Sequence, residues 1–408
     1  MKILIVSTHF WPENFRVNEL ALGLKDHGHE VTVLTGLPNY PGGKIFPGYS
    51  LFVRKENYNG ITIKRVPLFP RGNAGKIRLV LNYVSFVVSA SLLAPFYCRE
   101  KYDAVFVFAT SPITCALPAI LLKGMKKAPL FLWVLDLWPE SLSATNSIKS
   151  PFILGCVDKV VRFIYKHCDR ILVASEGFIP SVMSRGVPAE KIRFLPNWAE
   201  DVYRPVKREE ARLPFAASDL PQGFRLVFAG NIGEAQDFPT ILAAFEQLKG
   251  HKDIHLLIVG GGRRRDQVKA EIHAKGLQDQ VHLLGAFPAD VMPHIFSAAD
   301  ALLVTLRKEH IFAVTIPGKL QSYMACGRPV VGALDGEGAK LIRVAEAGFV
   351  CPSGDPQALS ATILNMYQTS AAIREQMGLK GRAYGEKNFD RKALIDRVVS
   401  WMKDFRKD

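Results

Sequence analysis

Lys319 is the residue whose type and setting most directly suggest chemistry. Ile316-Pro317-Gly318-Lys319-Leu320 leads into a helical pattern through Tyr323, Met324 and Ala325, which Cys326-Gly327 ends. Pro-Gly-Lys at a helix start gathers open backbone amides and one ammonium, a combination suited to a diphosphate. The plainer alternative is a solvated lysine. Gly230-Asn231-Ile232-Gly233, between an apolar run and a helix, is a weaker phosphate cue. Glycines there permit a tight turn and close approach of a ligand, yet an ordinary strand-to-helix turn explains the pattern equally well. It is neither a full G-x-G-x-x-G nor a Walker loop.

Asp136 and Glu140 lie in Leu135-Asp-Leu-Trp-Pro-Glu-Ser141, directly after the apolar run Leu130–Leu135. A carboxylate there can act as base, orient a substrate hydroxyl, or cap the next helix. Glu13 and Arg16, in the loop Phe10–Arg16, could hold an anionic or hydroxyl-rich group. Gly260-Gly261-Gly262 is followed by Arg263, Arg264 and Arg265, a place for one arginine to face a phosphate and two to be solvated. No Asp-x-Asp occurs, and the 10 histidines show no H-E-x-x-H spacing, so no metal is expected. The lack of G-x-S-x-G argues against a serine hydrolase.

These residues must be positioned by strands. Lys2–Val6 is a short apolar run, followed by a helical pattern through Leu20, Leu22 and Leu24 and a second run, Val31–Leu34. Arg225–Gly230, a helix from near Asp237, and His255–Gly260 repeat that order further along. Ala104–Phe108, Leu130–Leu135, Arg170–Ala174, Val281–Leu284, Ala301–Thr305 and Pro329–Val331 supply further runs. Short apolar strands alternating with helices predict parallel sheets covered on both faces. The expected fold is α/β: two doubly wound Rossmann-like domains facing a cleft, divided near Asn197–Leu220. Ligands of such sheets sit at the carboxyl ends of the strands, where Asp136, Glu13, Gly230 and Gly260 all fall.

The 408 residues are 48% hydrophobic and 22% charged, which excludes disorder, collagen-like repetition and a small disulfide scaffold. Six cysteines form no C-x-x-C pair and read as buried, reduced thiols of a cytoplasmic protein. The opening apolar run is too short for a secretory signal. The net charge is +14, and residues 1–195 carry 24 Lys+Arg against 13 Asp+Glu, most of that excess. An acidic partner of the N-terminal half follows: a phosphate, a nucleic acid or an anionic membrane. No zinc-finger, RNA-recognition or basic-zipper signature accompanies the charge, so nucleic acid is not expected as a partner. Residues 79–98 carry no charge, with Arg71, Lys76 and Arg78 before them and Arg99 and Lys101 after. Length alone allows a membrane span; a core helix, or a helix lying against anionic headgroups, fits as well.

Lys2-Ile-Leu-Ile-Val6, Phe194-Leu-Pro-Asn-Trp198, Val281–Phe287 and Ala325-Cys-Gly-Arg-Pro-Val330 make the whole chain resemble the family 4 glycosyltransferases of GT-B fold. Leu135–Ser141, Gly230–Gln236 and Pro317-Gly-Lys319 are the most specific part of that likeness. It is closest to bacterial O-antigen and colanic-acid transferases, including those for N-acetyl-L-fucosamine. The resemblance implies a retaining, metal-independent enzyme with a UDP-sugar as co-substrate, no other cofactor, and a polyprenyl-diphosphate-linked saccharide acceptor. It implies work at the cytoplasmic face of the plasma membrane. A sugar-nucleotide epimerase or hydrolase of this fold, and a non-catalytic nucleotide-binding subunit, are alternatives.

By the same resemblance, residues 1–200 with a returning helix at 386–408 bind acceptor, and residues 201–385 bind donor. Asp136, Glu140 and Lys319 become the catalytic candidates, and Glu13, Arg16 and Trp138 the acceptor side. Gly230, Asn231, Gly233, Arg263, Phe287, Pro317, Gly318, Gln321 and Ser322 join Lys319 on the donor, with Gln321 or Ser322 on the ribose. The family's arginine and lysine on the diphosphate fall here on Asn231 and Gln236, and its two glutamates on Val314 and Ser322. Lys319 is therefore expected to carry the diphosphate.

Overall fold

Every apolar run singled out above becomes a parallel strand in the computed structural model, which describes residues 1–50, 55–72, 75–144 and 148–405. The chain divides into two compact units, Met1–Pro196 with Lys392–Asp408, and Asn197–Arg391. The passage between units thus falls at 196/197 rather than after 200, and the return at 391/392 rather than 385/386.

The first unit holds eight strands: β1 Lys2–Val6, β2 Glu30–Gly36, β3 Lys55–Tyr58, β4 Ile61–Val66, β5 Ala104–Ala109, β6 Leu130–Val134, β7 Arg170–Val173 and β8 Ile192–Phe194. Their order is β3-β4-β2-β1-β5-β6-β7-β8, parallel except for the β3–β4 pair. The connections run outward in opposite directions from β1 and β5, so the topological switch point lies between those two strands. Ile3–Val6 are fully buried, as continuous apolar strands of a two-sided parallel sheet must be.

The uncharged segment, except for Cys98 at its end, lies within a helix, Lys76–Tyr97. Asn82, Phe86, Ala90 and Ala94 recur every fourth residue and are buried against the unit. The opposite face leaves Ile77, Val80, Leu81, Val84, Val88, Leu92 and Phe96 exposed. The last helix, Arg391–Asp404, closes the first unit from the far end of the sequence. Its Ile395 leaves no room for a side chain at Gly23, and Arg397 donates to the Phe194 carbonyl at 2.8 Å. All six cysteines are unpaired thiols; five are buried, but Cys156, on the helix Pro151–His167, is exposed, contrary to expectation.

The second unit holds β9 Phe224–Ala229, β10 Ile254–Val259, β11 Val281–Gly285, β12 Ala301–Thr305, β13 Val330–Ala333 and β14 Gly348–Cys351, all parallel, in the order β11-β10-β9-β12-β13-β14. Here too the order reverses beside the first strand, at β9/β12. The carboxyl end of β9 is the turn that begins at Gly230.

Candidate active-site residues

In the second unit, two glycine turns pack directly on each other. Gly230 (φ 137°) follows β9 and Gly260 (φ 145°) follows β10, both in a region that side chains disfavour. A Cβ on Gly260 would stand 1.9 Å from the Gly230 carbonyl oxygen, and one on Gly262 2.3 Å from that of Ile232. Glycine is required for the turns to nest. The Gly233 amide is used within its own turn, donating to the Asn231 carbonyl at 3.1 Å, while the Asn231 side chain folds over Gly233 and Gly262.

Lys319 opens the seven-residue helix Lys319–Ala325 and reaches these turns from the other side of β9. Its Nζ donates to Gln236 Oε1 at 2.8 Å and lies 3.9 Å above the Phe228 ring. A Cβ on Gly230 would be 3.2 Å from that Nζ. The amine is half-buried, and desolvation lowers its pKa from 10.5 to about 7. Gln236 is the position at which the family resemblance expects a lysine. The ammonium therefore arrives at that place from another helix.

Tyr323 anchors the lysine's helix. Its buried hydroxyl accepts from the Ala229 amide at 3.0 Å and faces the Ala229 and Leu303 carbonyls at 3.2 and 3.4 Å. Thr305 ties the other flank by donating to the Gln236 carbonyl.

Arginines gather at the same edge. Arg264 Nη1 lies 3.0 Å and Arg307 Nη1 3.7 Å from a Glu234 carboxylate oxygen, and the Arg307 amide donates to the Ala235 carbonyl at 3.0 Å. Arg263, the arginine favoured above, is exposed. Phe287 follows β11 and packs edge-on against Phe215 at 5.8 Å. Pro317 and Gly318 are half-buried before the helix. The ribose assignment needs correction: Gln321 and Ser322 are 2% and 6% exposed. The Gln321 amide nitrogen is directed at the Gly318 and Pro317 carbonyls, at 3.0 and 3.2 Å. The helical period turns both side chains into the unit.

In the first unit, Asp136 stands accessible just past β6. Burial of its surroundings raises its pKa, and the Ser111 hydroxyl, hydrogen-bonded to it, opposes the shift. Ser111 also accepts from the Trp138 indole N–H at 3.2 Å. Trp138 is 9% exposed, so its acceptor-binding face is closed and its link to the site runs through Ser111.

Glu140 is not poised for acid–base work. Its Oε1 accepts from Ser181 at 2.7 Å and from Arg185 at 2.9 Å, and Arg185 also donates to Asp158 at 2.8 Å. Glu140→Gln is expected to lower stability by about 1–3 kcal/mol, read as a fall in Tm, while kcat of the folded enzyme stays within a few-fold. A loss of kcat at unchanged Tm would return Glu140 to the chemistry.

Glu13 is likewise occupied. It is 2% exposed; Oε1 accepts from the Asn39 and Tyr40 amides at 2.8 and 2.7 Å, and Oε2 meets His9 Nδ1 at 2.9 Å. Direct acceptor binding by Glu13 is corrected accordingly, since both oxygens are already committed. Arg16 is half-buried at the start of the helix Arg16–Asp26. His9, Ser111, Arg307 and Tyr323 were not singled out by sequence reading. The first three follow β1, β5 and β12, and the strand-end rule that selected Asp136 would have found them.

Two nucleotide-type α/β units, each with a switch point at the carboxyl ends of its strands, are the architecture of the GT-B glycosyltransferase class. Residues 14–198 match the glycosyl transferase 4-like domain and residues 223–369 the glycosyl transferases group 1 domain, and the chain is a family 4 glycosyltransferase of GT-B fold. It is 24% identical over 414 aligned residues to the putative colanic acid biosynthesis glycosyl transferase WcaI of Escherichia coli, covering 98% of this chain and 99% of that one. Among solved structures it resembles sucrose-phosphate synthase from Thermosynechococcus elongatus, with a TM-score of 0.79, 18% identity and coverage of 100% and 99%. It also resembles Anabaena HepE in complex with UDP-glucose, with a TM-score of 0.69, 16% identity and coverage of 99% and 100%.

Proposed function

We propose that this glycosyltransferase moves a sugar from a UDP-sugar to a polyprenyl-diphosphate-linked saccharide in bacterial surface-polysaccharide synthesis, with retention at the anomeric carbon. The observation that carries the donor half is Lys319 Nζ, held 2.8 Å from Gln236 beside the glycine turn. An amine in this setting becomes a full charge partner when a diphosphate arrives, because the ligand reverses the desolvation that depresses its pKa. Stabilising the departing diphosphate lets the sugar develop oxocarbenium character, and that electrostatic help supplies most of the catalysis. In same-face attack the leaving phosphate takes the acceptor proton. Asp136 then orients a hydroxyl, with Ser111 fixing its carboxylate, and no metal is needed.

The acceptor half rests on the relative WcaI, named for colanic acid biosynthesis, and on the apolar face of Lys76–Tyr97 beside exposed Arg78, Arg99 and Lys101. That face suits a protein held peripherally at an anionic membrane on the cytoplasmic side. Calorimetry with UDP, GDP, ADP and their sugars tests the donor reading. UDP and a UDP-linked acetamidodeoxyhexose, N-acetyl-L-fucosamine first, should bind in the presence of EDTA, at least tenfold more tightly than the GDP and ADP series. Preference for GDP or ADP overturns it.

A further inference from the structure

Resting on the transferase reading above, we infer that a saccharide hydroxyl docks on the imidazole of His9, at the switch point between β1 and β5. His9 follows β1 at the carboxyl edge and is 2% exposed. Its ring lies parallel to Phe15, with centroids 4.8 Å apart, and 5.6 Å from the Tyr40 ring. Nδ1 is fixed by Glu13 at 2.9 Å, and Glu13 is itself fixed by the Asn39 and Tyr40 amides. The carboxylate takes the proton on Nδ1, which leaves Nε2 as the ring's second polar atom for a hydroxyl, a group that can both donate and accept. Among the described residues, Nε2 has no hydrogen-bond partner. A fold that clamps one side of an imidazole this firmly and leaves the other unused has prepared a hydrogen-bonding atom for a ligand hydroxyl.

Two further observations point to the same ligand. Ser7 Oγ, at the end of β1, and Thr110 Oγ1, at the end of β5, are buried and have no partner among the described residues. These strands pair directly, with Val6 opposite Val107, so both orphan hydroxyls belong to residues just past the paired strand ends at the switch point. Buried hydroxyls without partners cost free energy that a ligand can recover. The ligand is a neutral polyol rather than an anion, because Glu13 stands behind the ring and Asp136 stands at the end of β6. The pattern is the one by which a carboxylate orients a histidine towards a hydroxyl. Glu13 is the positioning residue, and His9 the group that touches saccharide.

The hydroxyl could belong to the acceptor or to the sugar of the donor, and the experiment separates them. The full chain, labelled with 15N-histidine, is titrated with UDP, with UDP-N-acetylglucosamine, and with methyl glycosides of glucose, galactose, N-acetylglucosamine and fucose. The His9 resonances are assigned by their loss in His9→Gln. The expected result is a shift of Nε2 with saccharide but not with UDP. Methyl glycosides alone producing it identifies the acceptor, and UDP-N-acetylglucosamine alone the donor sugar. His9→Ala should weaken the same ligand at least tenfold while UDP affinity stays within twofold. An Nε2 resonance unmoved by every saccharide overturns the inference, and this wild-type readout decides even if His9→Ala does not fold. Failure to bind UDP, with Nε2 still responding to methyl glycosides, instead removes the donor reading.

Discussion

Lys319→Ala should lower kcat by about 10²–10³-fold, the usual cost of removing one preorganised partner of a developing charge. Lys319→Met, which keeps the contact with the Phe228 ring and sheds the desolvated amine, should lose as much activity while Tm holds or rises. The physical basis is a lysine whose Nζ sits between Gln236 and that ring, with its pKa lowered to about 7 by desolvation. Near neutral pH it is partly unprotonated in the empty site, and a bound diphosphate draws the proton back. Binding therefore takes up protons between about pH 7 and the higher pKa of the complex, so affinity falls as pH rises through that window.

Calorimetry of UDP in buffers of different ionisation enthalpy should show uptake approaching one proton near pH 8. Kd should weaken by up to about tenfold per pH unit above 7, and both effects should vanish in Lys319→Met. The sign for stability runs the other way. A lysine with a depressed folded pKa destabilises the fold fully below that value, and the penalty fades as pH rises towards the unfolded pKa of 10.5. Unchanged turnover in Lys319→Met, or a Kd for UDP independent of pH, would take Lys319 out of the mechanism.

Strands that are continuous apolar runs were legible from sequence, because burial on both faces leaves no room for polar residues. β4 was not, since Thr62, Lys64 and Arg65 interrupt it. Arg65 is nonetheless buried, and it can be because Glu56 on β3 pairs with it at 2.6 Å, a partner set by tertiary pairing rather than spacing. β8 and β14, with three and four residues, are too short to show a period. Lys319 was legible because Pro-Gly-Lys marks a helix start. Its partner was not, because Gln236 lies 83 residues away. The carboxylates misled for one shared reason. Glu13 and Glu140 stand at strand ends as catalytic groups do, but a strand end also needs its loop held, and only the structure shows both Glu13 oxygens bound, to two amides and His9, and Glu140 Oε1 bound to Ser181 and Arg185.

The second large effect concerns the helix Lys76–Tyr97. Seven large apolar side chains on one helical face are exposed, among them Ile77 at 78% and Leu92 at 65%, while the opposite stripe already packs on the unit. A helix needs one buried face, not two, so the outer face is unaccounted for by folding. On the peripheral-membrane reading proposed above, insertion into lipid would cover it, and Arg78, Arg99 and Lys101 at its ends would add about 1 kcal/mol each near an anionic surface. Val84→Glu, Val88→Glu and Leu92→Glu together should reduce binding to vesicles containing phosphatidylglycerol by at least about a hundredfold, since each such side chain contributes up to 1.5–3 kcal/mol when fully buried. Far-UV circular dichroism and Tm should hold, because none of the three packs inside. Arg78→Glu with Arg99→Glu should cost less, and its effect should shrink as salt rises, because the Debye length falls to about 3 Å at 1 M. A triple variant that sediments with these vesicles as well as the wild type would mean that the face is covered by something other than lipid, and the peripheral-membrane reading would fall with it.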